Sequence, residues 1–302
     1  MKIALTGASG FLGLHIAKQL TQDGDEVVGL LRDSSKREHV EPWLSSTISG
    51  DLSDKDACRS LLEGADCLVH NAVDWKTLRS GDMQAHHQVN LVRPIEVLTD
   101  AAQRGIPIIF ISSVATHHHM LEQWNGQIDA THPTRPGGFY GASKAAIEAH
   151  LWALHDMHGH PFTILRPAAI YGIDPVITRS IGYPILRDVA EGKPYRRAGG
   201  GKFVHVEDVA ETVARSARKN HSGGHIYHLA ECYARWCDWA ACCCEITGRS
   251  VEIDHGSPIA PKNMFDTSDL ERDLGFKWTR GWDGIESHLR SLHALMGQDA
   301  QS

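Results

Sequence analysis

The chain has 302 residues, 42% of them hydrophobic and 22% charged, with a formal charge of -7. That apolar content excludes a disordered chain, and the length suits one two-part domain with a large core. The acidic balance gives no electrostatic basis for a nucleic acid or an anionic membrane as partner, and no run of about 18 apolar residues offers a membrane span; the expected partner is a small molecule.

The first strand is predicted at Ile3–Leu5, so close to Met1 that no secretory leader fits before it, and the expected location is the cytoplasm. Thr6-Gly7-Ala8-Ser9-Gly10-Phe11-Leu12-Gly13 follows, between that strand and a first helix. A tight turn needs a residue free to take positive φ, a pyrophosphate needs backbone without a Cβ in its way, and the helix must approach the sheet closely. The N–H groups and dipole at the helix start then receive the anion. Gly7, Ser9, Gly10, Phe11, Leu12 and Gly13 are therefore expected to hold a dinucleotide.

A second strand, Val27–Leu31, ends on Arg32 and Asp33. An acid at the strand end would hold a ribose 2′-hydroxyl, whereas a guanidinium suits a 2′-phosphate. With Arg32 first, and Lys36 and Arg37 near, the expected cofactor is NADP; Asp33 keeps NAD open.

Further strands are predicted at Thr47–Ile48, Cys67–His70, Ile108–Ile111 and Phe162–Leu165. Their alternation with amphipathic segments predicts an α/β fold, a Rossmann-type doubly wound parallel sheet with helices on both faces. Leu91, Ile95, Leu98 and Ala102 predict a helix from Val89 to Arg104, stopped by Gly105 ahead of Pro107. Ser112 and Ser113 emerge from the fifth strand's C-terminal end, where open α/β sheets bind ligands. His117-His118-His119 reads as a solvated loop, because successive extended side chains point apart.

Tyr140-Gly141-Ala142-Ser143-Lys144 opens a helix predicted to reach Met157. Tyr140 and Lys144, four apart, share a helical face. A phenol with a pKa of about 10 exchanges protons poorly at neutral pH, and an adjacent ammonium is expected to lower that value. Taken alone, the pair also reads as a surface helix start with a solvated lysine.

Beyond Pro167 the pattern loosens into glycine clusters at 199–201 and 223–224. Residues 1–170 are expected to form the dinucleotide-binding part and 171–302 a smaller substrate-binding region. The two are interleaved, with Val204–Val206 and Ile226–Leu229 returning as strands. Cys242-Cys243-Cys244, after Cys232 and Cys237, lacks the paired spacing of a zinc site. A helix over about 236–247 with its thiols packed inward is expected, and no metal.

These motifs together resemble the extended branch of the short-chain dehydrogenase/reductase superfamily, the NAD-dependent epimerase/dehydratase group. The resemblance rests on the N-terminal glycine turn, Gly50-Asp51-Leu52, His70-Asn71-Ala72, Ser112-Ser113, Tyr140 with Lys144, Leu165-Arg166-Pro167 with Ile170-Tyr171-Gly172, and the run from Val204 to Ala210. It implies Tyr140 as general acid, Lys144 as partner of the tyrosine and the nicotinamide ribose, and Ser113 as the group that orients the substrate carbonyl. It also implies Asp51 and Leu52 against the adenine, Asn71, Ala72, Val73 and Ser112 along the cofactor, and Pro167 and Ile170 near the carboxamide. Asn90 matches the asparagine that begins the family's fourth helix.

Dehydratases of this group carry Asp-Glu after the catalytic Ser/Thr, and Val114-Ala115 stand there instead. The resemblance therefore implies a reductase-like member, reducing a ketone or aldehyde or oxidising the alcohol. A nucleotide-sugar epimerase and a non-catalytic NADP-binding sensor or assembly subunit remain as alternatives. Substrate contacts are expected from Asp74, Trp75, Thr116, Tyr183 and Arg187, with Arg196 and Arg197 open to a substrate phosphate. A homodimer through helices 89–104 and 140–157 is implied by the same resemblance.

Overall fold

A computed structural model describes residues 1–118, 120–219 and 223–299. Its strands are β1 (Lys2–Thr6), β2 (Glu26–Leu31), β3 (Ser46–Ser49), β4 (Cys67–His70), β5 (Ile108–Ile111), β6 (Gln127–Ile128), β7 (Phe162–Pro167), β8 (Ala169–Tyr171), β9 (Gly200–His205), β10 (Gly224–Leu229), β11 (Cys232–Arg235) and β12 (Met264–Phe265). Seven of them form one sheet in the order β10-β7-β5-β4-β1-β2-β3, every pair parallel. The order reverses between β1 and β4, which opens a crevice at their C-terminal ends.

β4 and β5 are buried along their whole length, as parallel strands covered on both faces must be. The helices are α1 (Phe11–Gln22), α2 (Lys55–Leu62), α3 (Trp75–Ser80), α4 (Met83–His87), α5 (Arg93–Gln103), α6 (Phe139–His158), α7 (Tyr183–Ala190), α8 (Val206–Arg218), α9 (Trp236–Thr247), α10 (Ser268–Leu274) and α11 (Gly281–Asp299). One face of the sheet is covered by α1 and α8 through Ile16, Leu20, Val209 and Val213. The other is covered by α2, α5 and α6 through Leu61, Leu98, Ile147 and Leu151. No helix among the described residues is long and apolar enough to cross a membrane.

After Tyr171 the chain builds a second core around Trp239, Phe203, Leu186 and Leu289, where the buried thiols of Cys242 and Cys243 also pack. α9 covers 236–247 as expected.

Two expectations are corrected. Val204–Val206 does not return to the large sheet: β9 joins β8 and β11 in a three-stranded sheet, and Val206 begins α8. His205 caps that helix, accepting from the Glu207 N–H at 3.3 Å, and two acids favour its first turn. Only β10 goes back. The helix expected over 89–104 begins instead as a π-helical turn, Gln88–Val92, before α5. Pro94 has no N–H, so a continuous α-helix would leave the Asn90 carbonyl without its donor, and the wider turn accommodates the ring.

Candidate active site

The turn after β1 is closed by the Gly10 N–H, which donates to the Gly7 carbonyl at 3.1 Å. Gly7 has φ +71°, and a Cβ there would stand 2.8 Å from the Ala72 nitrogen. A Cβ on Gly13 would lie 2.0 Å from the Gly7 carbonyl, so this glycine lets α1 press against the turn from beneath. Thr6 Oγ1 accepts from the Asn71 and Ala72 N–H groups at 3.1 and 3.3 Å. Its hydroxyl proton is then free to be donated to His70 Nδ1, 3.0 Å away. Burial, helped by the Lys144 charge, pushes the His70 pKa down to about 3, so this ring stays neutral.

These loops wall a cavity of about 930 Å³ at the C-terminal ends of the strands. Gly7, Ser9, Gly10, Phe11, Leu12, Arg32, Asp51, Leu52, Asn71, Ala72, Val73, Ser112, Ser113, Tyr140, Lys144, Pro167 and Ile170 all line it; Gly13 does not. A backbone cradle that a Cβ would fill, at a helix N-terminus, fits the pyrophosphate of a dinucleotide.

At the far end, Arg32 Nη1 reaches Asp74 Oδ2 at 3.0 Å, and the Ser9 hydroxyl donates to that of Ser35 at 3.3 Å. Asp33 turns away: its side chain is 92% exposed and holds Arg37 at 3.4 Å. Ser35, absent from the sequence expectations, also lines the cavity. Asp51 accepts from the Ser53 hydroxyl and N–H at 2.6 and 2.7 Å, and those bonds hold its carboxyl below the usual range.

At the other end, Tyr140 on the first turn of α6 lines the cavity with Ser113, whose Oγ accepts the Ala115 N–H at 3.1 Å. Lys144 is 5% exposed. Its ammonium donates to the Ile111 carbonyl at 2.6 Å and lies 5.9 Å from the centre of the Tyr140 ring. Burial lowers its pKa to about 7, with Glu148 opposing. The phenol corrects the expectation for its own titration: burial raises it, and the nearby Ser113 hydroxyl offsets only part of that. With a lysine that is itself near its titration point, the phenol stays protonated at neutral pH.

Trp75 lies over this group, its ring 5.0 Å from that of Tyr140 at 32°. Asp74 precedes it and caps α3, accepting from the Thr77 N–H at 2.7 Å. Asn90, on the π-helical turn, clamps the Asp74 backbone: Oδ1 accepts its N–H at 2.7 Å and Nδ2 donates to its carbonyl at 3.1 Å. Nδ2 also meets His86 Nδ1 at 3.1 Å, which leaves His86 Nε2 to donate to Ser143 Oγ at 2.9 Å.

Asp74 and Trp75 line the cavity; Thr116, Tyr183 and Arg187 do not. Thr116 is buried and donates to the Ser113 carbonyl at 2.9 Å, Tyr183 packs on the second core, and Arg187 pairs with Asp188 at 2.8 Å. Arg196 pairs with Glu252 at 2.9 Å and Arg197 lies over the Trp236 ring at 3.8 Å. The cavity's additional cations are Arg93, tied to Glu96 at 2.8 Å, and Arg179. His117, expected in solvent, is buried because residues 117 and 135 pair as a bridge that draws the loop inward; His119 lies outside the described residues.

The sequence profile of the NAD dependent epimerase/dehydratase family matches residues 3–230. Sterol demethylase protein B of Methylococcus capsulatus is 29% identical over 211 residues, 69% of this chain and 63% of that protein. A 4-hydroxy-2-methyl-3-oxo-4-farnesyl-3,4-dihydroquinoline-1-oxide ketoreductase of Stigmatella aurantiaca is 28% identical over 243 residues, 76% of this chain and 68% of that protein. The chain thus spans about two thirds of the length of these relatives. Among solved structures, a UDP-glucose 4-epimerase of Thermus thermophilus in complex with NAD superposes with a TM-score of 0.79 at 23% identity, over 97% of this chain and 99% of the other. That likeness concerns the fold.

Proposed function

The chain belongs to the NAD dependent epimerase/dehydratase family and is an enzyme of the extended short-chain dehydrogenase/reductase type; on that premise we propose that it is an NADP(H)-dependent oxidoreductase that reduces a ketone or aldehyde of a small molecule, or oxidises the alcohol. The observation that carries the reading is a phenol raised toward its protonated form, Tyr140, sharing one cavity with Ser113, Lys144 and the glycine turn after β1. When bound, the nicotinamide supplies a hydride in reduction and accepts one in oxidation. Ser113 holds the carbonyl oxygen, Tyr140 delivers the proton to it, and the Lys144 ammonium offsets the charge left on the phenolate. Asn71, Ala72 and Val73 line the ribose path, and Trp75 and Asp74 cover the substrate.

The preference for NADP rests on Arg32, Ser9 and Ser35, which offer a guanidinium and two hydroxyls to a 2′-phosphate while Asp33 faces solvent. Val92 on the turn before α5 and Phe139, Trp152 and Met157 on α6 are exposed, which supports a homodimer through this face. All seven cysteines are free thiols, which supports a reducing, cytoplasmic setting.

A second reading, conversion of a nucleotide sugar, is favoured by Arg179, a cavity arginine with no ion pair among the described residues. One experiment separates the two. Panels of ketones, aldehydes and UDP-sugars are incubated with enzyme in parallel with NADPH and with the oxidised cofactor, and both absorbance at the NADPH band and sugar composition are followed. NADPH loss with a carbonyl compound supports the oxidoreductase; a sugar interconverted without net NADPH loss removes it.

A further inference from the structure

The end of β5 meets α6 at one-turn intervals. Tyr140 lines the cavity with Ser113, Lys144 donates to the Ile111 carbonyl, and Glu148 accepts the hydroxyl of Ser112. Positions 140, 144 and 148 follow one another along a single helical face, so successive helical turns face Ile111, the last residue of β5, and the two residues that follow it. The first two pairs belong to the reacting group; the third has no part in it.

Glu148 is buried, and Arg166 of β7 grips it as a fork, Nε to Oε1 at 3.0 Å and Nη2 to Oε2 at 2.6 Å. The remaining guanidinium nitrogen, Nη1, lies 2.8 Å from His117 Nε2 and 3.3 Å from His228 Nε2. Burial and the guanidinium keep both rings neutral. The guanidinium fork and the Ser112 hydroxyl fix this carboxyl group one turn from Lys144.

Resting on the assignment of Tyr140, Lys144 and Ser113 above, we infer that Glu148 is the positioning residue for Lys144: through Ser112 it ties down the segment that supplies the ammonium's acceptor, and its carboxyl group, one turn away, favours the charged form of the amine. The other groups around Lys144 are Tyr140 on α6, His70 from β4, Arg166 behind Glu148, and His86, which reaches Ser143. Glu148 is the one acid among these.

The test is a titration of the Lys144 ammonium by nitrogen-15 NMR, on full-length lysine-labelled protein without cofactor, with the resonance assigned by its loss in Lys144→Arg. Glu148→Gln, which still accepts the Ser112 hydroxyl, is expected to lower the midpoint by about one pH unit or more. If that variant does not fold, the double variant Glu148→Gln with Arg166→Met removes the stranded guanidinium and is expected to lower it likewise. Ser112→Ala, which keeps the carboxylate, is expected to stay within about 0.3 pH unit of wild type. A midpoint unmoved by loss of Glu148, or moved as far by Ser112→Ala, overturns the inference, whereas a structural role alone would change only the melting temperature. Failure of the parent assignment looks different: Tyr140→Phe would retain turnover while the titration stayed as described.

Discussion

The indole of Trp75 lies against the phenol ring of Tyr140, 5.0 Å between centroids, although 46% of the tryptophan remains exposed. The stack is possible because Asp74 caps α3 and Asn90 fixes the Asp74 backbone, so the first helical residue has one direction to point. A half-exposed aromatic beside a proton donor is a platform for an apolar or planar substrate. Trp75→Ala is expected to raise KM about tenfold with a smaller change in kcat, and Trp75→Phe to restore most of it. Steady-state kinetics on a carbonyl substrate found in the panel decides, and an unchanged KM in Trp75→Ala would take the tryptophan out of the substrate site.

Tyr140→Phe removes the transferable proton and leaves the ring in place. Turnover should fall about 100-fold to 10,000-fold, the span that positioned acids contribute, while NADPH affinity stays within about twofold, as read by fluorescence titration. Retained turnover would assign the proton to another group.

Arg32→Ala deletes the guanidinium facing the proposed 2′-phosphate. NADPH affinity should drop about tenfold to a hundredfold, the value of a charge-assisted bond, and NADH affinity should not. Equal losses for both cofactors in isothermal titration would mean that Arg32 acts only through its pair with Asp74.

Gly13→Ala would bring a methyl group to 2.0 Å from the Gly7 carbonyl, and backbone cannot swing aside as a side chain can. A loss of about 1–3 kcal/mol in urea unfolding is expected, together with loss of cofactor binding. Full affinity and stability would show that α1 can stand off the turn.

Three buried histidines and a half-buried one, His205, set the acid limit of the fold. Burial first, with Lys144 for His70, Arg166 for His117 and His228, and Arg280 for His205, pushes these pKa values to about 3 for His70 and His117, to about 4 for His205, and well below the ordinary value for His228. The unfolded chain protonates them near the ordinary 6.5, so below that pH it binds protons that the folded state refuses. Their contribution is fully present above pH 6.5 and is lost as the pH falls toward 4 and 3. Urea unfolding between pH 7.5 and 5, above the range of ordinary carboxylates, should show falling stability with uptake of about two protons or more. Flat stability over that interval would contradict the buried, neutral rings.

Much of the sheet was legible because its strands are unbroken apolar runs: Cys67–His70 and Ile108–Ile111 were expected at those bounds and are formed there. The glycine turn and Tyr140 with Lys144 were legible because their spacing in sequence is also their spacing in space. What escaped depends on distant pairing. Glu148 stands four residues past Lys144, but its partners Ser112, just after β5, and Arg166, on β7, come from distant parts of the chain. His117 read as solvated because the bridge to residue 135 that buries it leaves no local mark. Thr116, Tyr183 and Arg187 were placed by topology alone, and each is satisfied elsewhere: by the Ser113 carbonyl, by the second core and by Asp188.

The path of the chain beyond Tyr171 has a practical consequence for protein engineering. α8 shields α1, and β10 seals the side of β7, yet both are made only after residues 172–205 have begun the other lobe. A truncation near residue 170 would bare a hydrogen-bonding strand margin together with the apolar flank of a helix, a recipe for aggregation instead of a working half-enzyme. Anyone swapping the lobe for a relative's has to transplant two separate stretches, one on each side of the α8–β10 segment, and keep that segment in the recipient.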